Sequence, residues 1–346
     1  MKIQIICQGS VNSGLGHLFR ANTFAKEASK RHRIELIAMI DKGLENVFSY
    51  AEYPVFFVGS EQEIVQRVSI FKPDILCFDL LRLQDTTLKA IFNIPQIKVS
   101  LSPVFNQMES MDLMYTRSLK KADYDEVVVR NGLQYAIFSE HCRKIPDEIY
   151  ESNLKLDELP VSISMGGTDA SNKTLKVLKE LSKLNIKMTV WAILGEGYHH
   201  SYNQLISVIK NKYHHEVILA KTNRSMWNII GNTVLGIFAG GLTTVEALYA
   251  GLPSINLIEK NMQEDIIDGF VKEGYCFKGG YFDQDVLKEM TGKVLEVYED
   301  RSQLVDIRKN LRDLISLNGS KVILDEIEEF CLHKSFREPI QLRGCV

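Results

Sequence analysis

A histidine beside two glycines is the first group in the sequence that could do chemistry. Gly14 and Gly16 precede His17, and Arg20 follows three residues later. Glycine permits a tight turn and lets a ligand approach the backbone amides. An imidazole titrates near neutrality, so His17 can accept or donate a proton. A glycine-rich turn followed by a packing histidine is the alternative, and a glycine pair alone does not exclude it.

A second stretch combines two glycines with hydroxyl and carboxylate groups. In order, it reads Gly240, Gly241, Leu242, Thr243, Thr244, Val245 and Glu246. The glycines leave amides exposed, and the threonines can cap the start of a helix. Amides at a helix start suit a phosphate, and the carboxylate of Glu246 suits the hydroxyls of a ribose. The alternative is a capping box, in which Glu246 bonds back to the helix start.

Apolar runs precede these glycines, and helical patterns follow them. Ile3–Cys7 and 234–239 have the composition of buried parallel strands. A third unit of this kind begins with a predicted strand at 160–165. We expect the substrate to contact Gly14, Gly16 and Arg20 in the first loop and Gly166, Gly167, Thr168 and Asn172 in the third.

Asp79 stands at the carboxyl end of another predicted strand, Ile75–Phe78. In open parallel sheets ligands collect just beyond these ends, so Asp79 is a candidate substrate-binding residue. An aspartate at this place is explained equally well as a cap on the next helix.

The alternation of strands and helices predicts an α/β protein. The pattern begins again at Pro160, after a charged stretch with no strong apolar period at 144–159. Such alternation is typical of parallel sheets covered by helices. We therefore predict two domains, 1–150 and 151–330, that face each other across a cleft, followed by a loosely attached tail at 331–346.

The charge balance gives no sign of nucleic-acid or membrane partners. The 346 residues carry 41 Lys and Arg against 44 Asp and Glu, which leaves a formal charge of −3. Nucleic-acid binders usually carry a basic excess. No apolar run reaches the roughly 20 residues that cross a bilayer, and no secretory signal is visible. We expect a cytoplasmic protein and leave its oligomeric state open.

Metal and disulfide sites are not expected. The six cysteines are scattered and form no C-x-x-C pair, which favours reduced thiols that act as small apolar side chains. The pairs His199-His200 and His214-His215 are not ready-made metal clamps, because neighbouring side chains point in different directions. We therefore predict no metal and no cofactor.

Three common catalytic or nucleotide-binding motifs are absent. No glycine loop continues into the Gly-Lys-Ser/Thr of a Walker loop, and no G-x-G-x-x-G fingerprint of dinucleotide sites occurs. No G-x-S-x-G nucleophile elbow occurs either. Hydride transfer and serine hydrolysis are therefore disfavoured.

Three segments resemble a known family of enzymes. Gly14–Arg20 resembles the G-x-G-H-x-x-R loop of the UDP-sugar hydrolases of pseudaminic acid synthesis and of related spore-coat polysaccharide proteins. Ile163–Asp169 is similar to the opening of that family's second domain. Ala239–Leu248, followed by Gly251–Pro253, resembles the nucleotide site of a wider group that includes the N-acetylglucosaminyltransferase of lipid II synthesis. The resemblance runs in the right order to about Tyr275.

This resemblance implies two Rossmann-like domains in the GT-B arrangement. It implies that His17 is the catalytic proton acceptor and that Glu246 holds the UDP ribose. The nucleotide-binding residues would be Gly240, Gly241, Leu242, Thr243, Thr244 and Glu246. Two departures from the family pattern fall on the sugar side of the site. Where the family has an acidic residue accompanied by serines, this chain has Cys7–Ser10, and where the family has an acidic pair, this chain has Ser102-Pro103. The nucleotide side is unaffected by them.

We therefore expect a hydrolase that releases UDP from a UDP-linked acetamido-deoxy sugar by base-assisted attack of water at the anomeric carbon. Its place would be in surface glycan or nonulosonic acid biosynthesis. A metal-independent GT-B glycosyltransferase with a UDP-sugar donor is the alternative, because the same base can activate an acceptor hydroxyl. A non-catalytic protein that binds sugar nucleotides is the second alternative.

Overall fold

The chain folds around two parallel sheets, which are described from a computed structural model. The structure describes residues 1–10, 14–94, 96–102, 105–120, 124–210, 215–222, 226–259, 261–282, 284–316 and 318–335. Among these, five cysteines carry free thiols, and four of the five are buried.

The first sheet has seven strands in the order β3-β2-β1-β4-β5-β6-β7, and every neighbouring pair is parallel. The strands are β1 (Lys2–Gly9), β2 (Arg33–Ile40), β3 (Val55–Val58), β4 (Ile75–Asp79), β5 (Ile97–Ser100), β6 (Leu113–Thr116) and β7 (Val128–Asn131). The helices between them are α1 (Gly16–Ser29), α2 (Glu61–Phe71) and α3 (Asp85–Phe92), with short 3₁₀ turns at Glu45–Phe48, Met108–Ser110 and Leu133–Tyr135.

Both faces of this sheet are covered by helices. Along β1, Ile3 and Ile5 pack in the cluster on the α1 side, while Ile6 packs in the cluster that includes α2 and α3 residues. A strand buried on both faces needs apolar residues at successive positions, as at Ile5, Ile6 and Cys7. The one polar residue within Ile3–Cys7, Gln4, donates to Glu35 Oε2 at 3.1 Å.

Helix α2 shows how local signals set the ends of an element. At its start, the Ser60 hydroxyl accepts a hydrogen bond from the Glu63 amide at 3.4 Å. At its end, Lys72 adopts a left-handed conformation with φ of 50°, and Pro73 follows. The helical spacing of Ile64, Val65, Val68 and Phe71 in the sequence predicts a helix over Glu61–Phe71, and the structure confirms these bounds.

The second sheet has six parallel strands in the order β10-β9-β8-β11-β12-β13. The strands are β8 (Leu159–Ser164), β9 (Met188–Leu194), β10 (His215–Lys221), β11 (Leu235–Ala239), β12 (Ser254–Ile258) and β13 (Phe277–Tyr281). The helices are α4 (Asp147–Leu154), α5 (Lys173–Leu181), α6 (Tyr202–Lys210), α7 (Met226–Ile230), α8 (Leu242–Ala250), α9 (Asn261–Lys272), α10 (Gln284–Glu299) and α11 (Ser302–Leu311).

The last helix, α12 (Gly319–Ser335), returns to the first domain. Its residues Ile323, Leu324 and Ile327 are fully buried in the cluster that also contains the apolar face of α1. The chain therefore crosses between the domains twice. At these crossings the Gly319 amide donates to the Ala136 carbonyl at 2.8 Å.

The predicted α/β class with two domains is confirmed by the two parallel sheets. The boundaries at 1–150 and 151–330 stay a prediction. The segment 331–346 begins inside α12, and residues 336–346 lie outside the described part of the chain. Strands β6, β7 and β13 are not predicted from the sequence.

Candidate functional site

The strand order of each sheet reverses at one point, and three of the glycine loops lie at these points. In the first sheet the reversal falls between β1 and β4, so the loop with Gly14 and Gly16 lies beside Asp79 at the end of β4. In the second sheet it falls between β8 and β11, which precede Gly166 and Gly240 respectively. Ligands of open α/β sheets bind at such reversals.

His17 lies in the first turn of α1 and is held by Asp79. Its Nδ1 is 2.6 Å from Asp79 Oδ1. Burial alone would raise the pKa of Asp79, but the charge of Arg20 and the hydrogen bond from His17 outweigh it and lower that pKa below its ordinary value. An ionised carboxylate only accepts, so this contact is a hydrogen bond in the tautomer that carries the hydrogen on Nδ1 and leaves Nε2 unprotonated; Arg20 Nη2 also lies 3.0 Å from Nδ1.

Arg20 completes this cluster from the next turn of α1. Its Nε donates to Asp79 Oδ2 at 2.7 Å, and its Nη2 contacts Asp79 Oδ1 as well. Asp79 has no exposed surface, and α3 begins only at Asp85. The expected capping of the next helix by Asp79 is wrong, because its carboxylate contacts His17 and accepts from Arg20 instead, whereas a direct substrate contact by Asp79 stays a prediction. A substrate contact by Arg20 stays a prediction.

The loop before His17 leaves open space. Gly14 has a φ of 86°, a left-handed conformation that favours glycine. Apart from chain neighbours and the helix's own backbone, no atom of the described residues lies within 4 Å of where a Cβ atom on Gly14 or Gly16 would stand. Residues 11–13 of this loop lie outside the described part of the chain. A ligand can therefore approach the start of α1 beside His17.

The second glycine loop meets the first across the domain junction. A Cβ atom on Gly167 would lie 2.9 Å from Leu15 Cδ1. Gly166 has a φ of 91° and open space around it. The helix start behind this loop is already occupied, because the Asp169 carboxylate accepts from the Lys173 amide at 2.7 Å. Asp169 is a capping residue that the sequence analysis does not single out.

Thr168 and Asn172, which are predicted to contact the substrate, are engaged within the second domain. Thr168 is buried. Asn172 precedes α5 with a φ of 51°, and its Oδ1 accepts from the Tyr198 hydroxyl at 2.9 Å. Their contact with a substrate stays a prediction.

At the third glycine loop, helix α8 begins at Leu242, with Gly241 before it. The two threonines are therefore inside the first turn, and the expected capping by their side chains does not occur. The Thr244 hydroxyl instead donates to Asn256 Oδ1 at 2.7 Å and is buried. Gly241, Leu242 and Thr243 stay partly exposed at the helix start.

Glu246 is buried and accepts two hydrogen bonds from distant segments. Its Oε1 accepts from the Ser139 amide at 3.0 Å, and its Oε2 accepts from the Trp227 indole at 3.2 Å. Burial raises the pKa of Glu246 to about 7, although both hydrogen bonds act to lower it. The capping-box alternative is wrong, because neither partner belongs to the start of α8. The role of Glu246 toward a ribose stays a prediction.

The pairing of His17 with Asp79 is the relationship that the sequence analysis misses. The two residues are 62 positions apart, and no motif links them. The available signal is that each follows a strand of the same predicted sheet. In the described residues, no group of three or more His, Cys, Asp or Glu could hold a metal ion, and no helix is long and apolar enough to span a membrane.

No family model matches the chain. It is 25% identical over 353 residues to an uncharacterized protein of Methanocaldococcus jannaschii. That alignment covers 95% of this chain and 70% of the relative. It is 28% identical over 188 residues to UDP-N-acetylglucosamine--N-acetylmuramyl-(pentapeptide) pyrophosphoryl-undecaprenol N-acetylglucosamine transferase of Francisella philomiragia. That match covers 51% of this chain and 48% of the transferase.

Several solved structures share the whole two-domain architecture. MurG of Acinetobacter baumannii matches with a TM-score of 0.67 at 13% identity, over 95% of this chain and 99% of MurG. HepE of Anabaena, in complex with UDP-glucose, matches with a TM-score of 0.64 at 15% identity, over 96% of this chain and 100% of HepE. MnaA of S. aureus, in complex with UDP, matches with 0.59 at 13% identity, over 95% and 96% of the two chains. The chain therefore consists of two parallel-sheet α/β domains in the GT-B fold.

Proposed function

We propose that the protein is a glycosyltransferase of the GT-B fold that takes a UDP-sugar as donor. The observation that carries this proposal is the His17–Asp79 pair, which lies at the strand-order reversal of the first sheet beside the loop that meets Gly167. Similarity to a curated N-acetylglucosamine transferase supports it. So does the fold shared with HepE and MnaA, whose structures contain UDP-glucose and UDP.

In this proposal His17 is the catalytic base. With its Nδ1 hydrogen donated to Asp79, its Nε2 takes the proton of an acceptor hydroxyl. The oxygen of that hydroxyl forms a bond to the anomeric carbon while the bond from this carbon to the diphosphate oxygen breaks. UDP leaves with the electron pair, and the Asp79 carboxylate stabilises the imidazolium that forms.

The second domain holds the nucleotide in this proposal. The start of α8 would offer the amides of Leu242 and Thr243 and its partial positive charge to phosphate, while the Gly241 amide donates to the Ala239 carbonyl at 2.6 Å. Glu246 lies in the second turn of the helix and would accept from the ribose hydroxyls. The remaining proposed contacts are Gly14, Gly16, Arg20, Gly166, Gly167, Thr168 and Asn172 on the sugar and Gly240 and Thr244 on the nucleotide.

Hydrolysis is the second candidate, and the Gly14–Arg20 loop favours it through its resemblance to the UDP-sugar hydrolases of pseudaminic acid synthesis. Water would then take the place of the acceptor hydroxyl, with His17 in the same role. The comparisons favour the transferase over this hydrolase, which the sequence analysis places first.

Release of UDP from UDP-N-acetylglucosamine and UDP-glucose tests the proposal. The assay is run with and without a panel of monosaccharides and alkyl glycosides as acceptors, and His17→Asn is the inactive control. We expect release to depend on an acceptor. Equal release in water alone would establish the hydrolase instead, and UDP binding without release under any condition would overturn both enzymes.

A further inference from the structure

Arg117 lies at the same sheet edge as the proposed base and takes no part in the site described so far. It directly follows Thr116, the last residue of β6. In the sheet order β6 lies two strands from β4, which ends at Asp79. Because all these strands are parallel, their carboxyl ends share one edge, and Arg117 stands there with Asp79 and His17.

The Nε of the Arg117 guanidinium lacks a hydrogen-bond partner in the described part of the chain. That Nε is buried and donates to no hydrogen-bond acceptor there. By contrast, Arg20 is paired with Asp79, and Arg308 donates to the Gly251 carbonyl at 2.7 Å and pairs with Asp147. A buried donor on a charged group that stays unpaired costs free energy, so an arginine at such a place calls for an anion.

The local charge balance points in the same direction. Asp79 supplies one negative charge, which Arg20 already neutralises. Burial first, and the charge of Arg20 second, lower the pKa of Arg117 to about 10, while Asp79 acts to raise it. Arg117 is therefore still protonated at neutral pH, and the edge beside His17 carries an excess positive charge.

The residues after Arg117 reach the second domain. Leu119 Cβ would lie 3.5 Å from a Cβ atom on Gly269 in α9. Lys120 Nζ pairs with Asp265 Oδ1 in the same helix at 2.8 Å. Arg117 therefore stands at the junction of the two domains, as does the contact between Leu15 and Gly167.

We propose that Arg117 binds phosphoryl oxygens in the cleft and neutralises the charge of a diphosphate beside His17. This inference rests on the proposed function, which places the diphosphate of a UDP-sugar there. An arginine fork suits phosphoryl oxygens because it donates two parallel hydrogen bonds. When the bond from the anomeric carbon breaks, charge builds up on the leaving diphosphate, and a preorganised guanidinium stabilises it.

Calorimetric titration with UDP, uridine and inorganic pyrophosphate tests this inference on wild-type protein and on Arg117→Met. We expect Arg117→Met to weaken UDP and pyrophosphate binding by about 10- to 100-fold, the range of a charge-assisted hydrogen bond, and to leave uridine binding unchanged. Arg130→Met is the matched control, since Arg130 is a half-exposed arginine on β7 that pairs with Glu326 at 3.1 Å.

A melting curve of the unliganded variants separates binding from architecture. Removing a half-buried charge whose Nε has no acceptor should raise the melting temperature of Arg117→Met, while a structural arginine would lower it when removed. Unchanged UDP and pyrophosphate affinity, equal loss of uridine binding, or a lowered melting temperature would each overturn the inference. Pyrophosphate binding that depends on Arg117 without any UDP binding would instead keep the inference, assign the phosphate to another substrate and refute the proposed function.

Discussion

Leu15 of the first domain rests directly on Gly167 of the second. Its Cδ1 lies 2.9 Å from the point that a Cβ atom on Gly167 would occupy, so only glycine fits there without a shift. Leu15 immediately precedes α1, the helix that carries His17 in its first turn. The position of the proposed base is therefore coupled to the distance between the domains.

Adding one methyl group at this contact should disturb the site. Gly167→Ala forces Leu15 or its loop to move, at a cost of about 1–3 kcal/mol in unfolding free energy. We expect kcat/KM to fall by at least the same order, because the start of α1 moves with Leu15. Denaturant unfolding and UDP release measure the two effects. Gly59→Ala is the control, since its added methyl group would meet only a Glu63 oxygen at 3.8 Å.

A double-mutant cycle identifies the cause. Leu15→Ala removes the side chain that the new methyl group meets, so the two substitutions should couple by about 0.5–3 kcal/mol. Strictly additive effects would show that Gly167 acts through another neighbour, such as Gly195.

His17→Asn should keep a hydrogen-bonding side chain of similar size and remove the base. Loss of a general base lowers the rate by about 10²–10⁴-fold. Affinity for UDP should survive, because the proposal places the nucleotide on the second domain. Turnover, UDP titration and a melting curve are measured on the same variant. Wild-type turnover in a folded variant would remove His17 from the mechanism, and joint loss of UDP binding would make it a phosphate ligand.

Glu246→Gln should abolish a pH dependence of stability. The carboxyl pKa is raised from its ordinary 4.5 to about 7 by burial, so the folded protein holds a proton between these values that the unfolded chain releases. Stability therefore falls as pH rises through this window, by about 3 kcal/mol for this group. Urea unfolding of wild-type and variant protein from pH 4.5 to pH 8 gives the difference.

The same variant tests the proposed ribose contact. Glu246→Gln should weaken UDP binding by about 1–3 kcal/mol if the carboxylate accepts from both ribose hydroxyls. Unaltered affinity would leave Glu246 as a structural partner of Ser139 and Trp227 only. A flat difference in stability across the pH window would contradict the raised pKa.

Chelation should not abolish turnover. In the proposal the start of α8 and the guanidinium of Arg117 meet the charge of the departing diphosphate, which is the task of a divalent cation in many nucleotide-sugar enzymes. UDP release is measured after treatment with EDTA and again after magnesium is added back. Activity that disappears with EDTA and returns with magnesium would contradict this account of the leaving group.

Local signals explain which elements could be predicted from the sequence. The ends of α2 follow from Ser60 and Pro73, and β9 follows from an apolar run bounded by polar residues. Strand β6 has only four residues, and β13 contains two glycines, so neither shows a clear period. In the sequence the helical pattern covers only Ala21–Lys30, whereas α1 begins at Gly16, because a glycine usually indicates a turn and here is the first residue of the helix.

The site is predictable only where a single segment carries it. His17 follows from its own loop, but its partner Asp79 comes from β4, and the partners of Glu246 come from the segments around Ser139 and Trp227. Arg117 belongs to no motif. Its proposed role rests on the lack of a hydrogen-bond acceptor for its Nε, and only the packed structure shows that.

The paired crossings between the domains set how the molecule can move. One crossing lies near Ala136 and Phe138, and the other lies near Asn318 and Gly319, whose added Cβ atom would stand 2.5 Å from the Tyr135 carbonyl carbon. The Asn318 side chain donates to the Phe138 carbonyl at 2.6 Å and ties the two crossings together. Because the two crossings lie side by side and are bonded to each other, any change in the relative position of the domains must bend both segments at once. A single proteolytic cut in either segment would therefore leave the two halves joined.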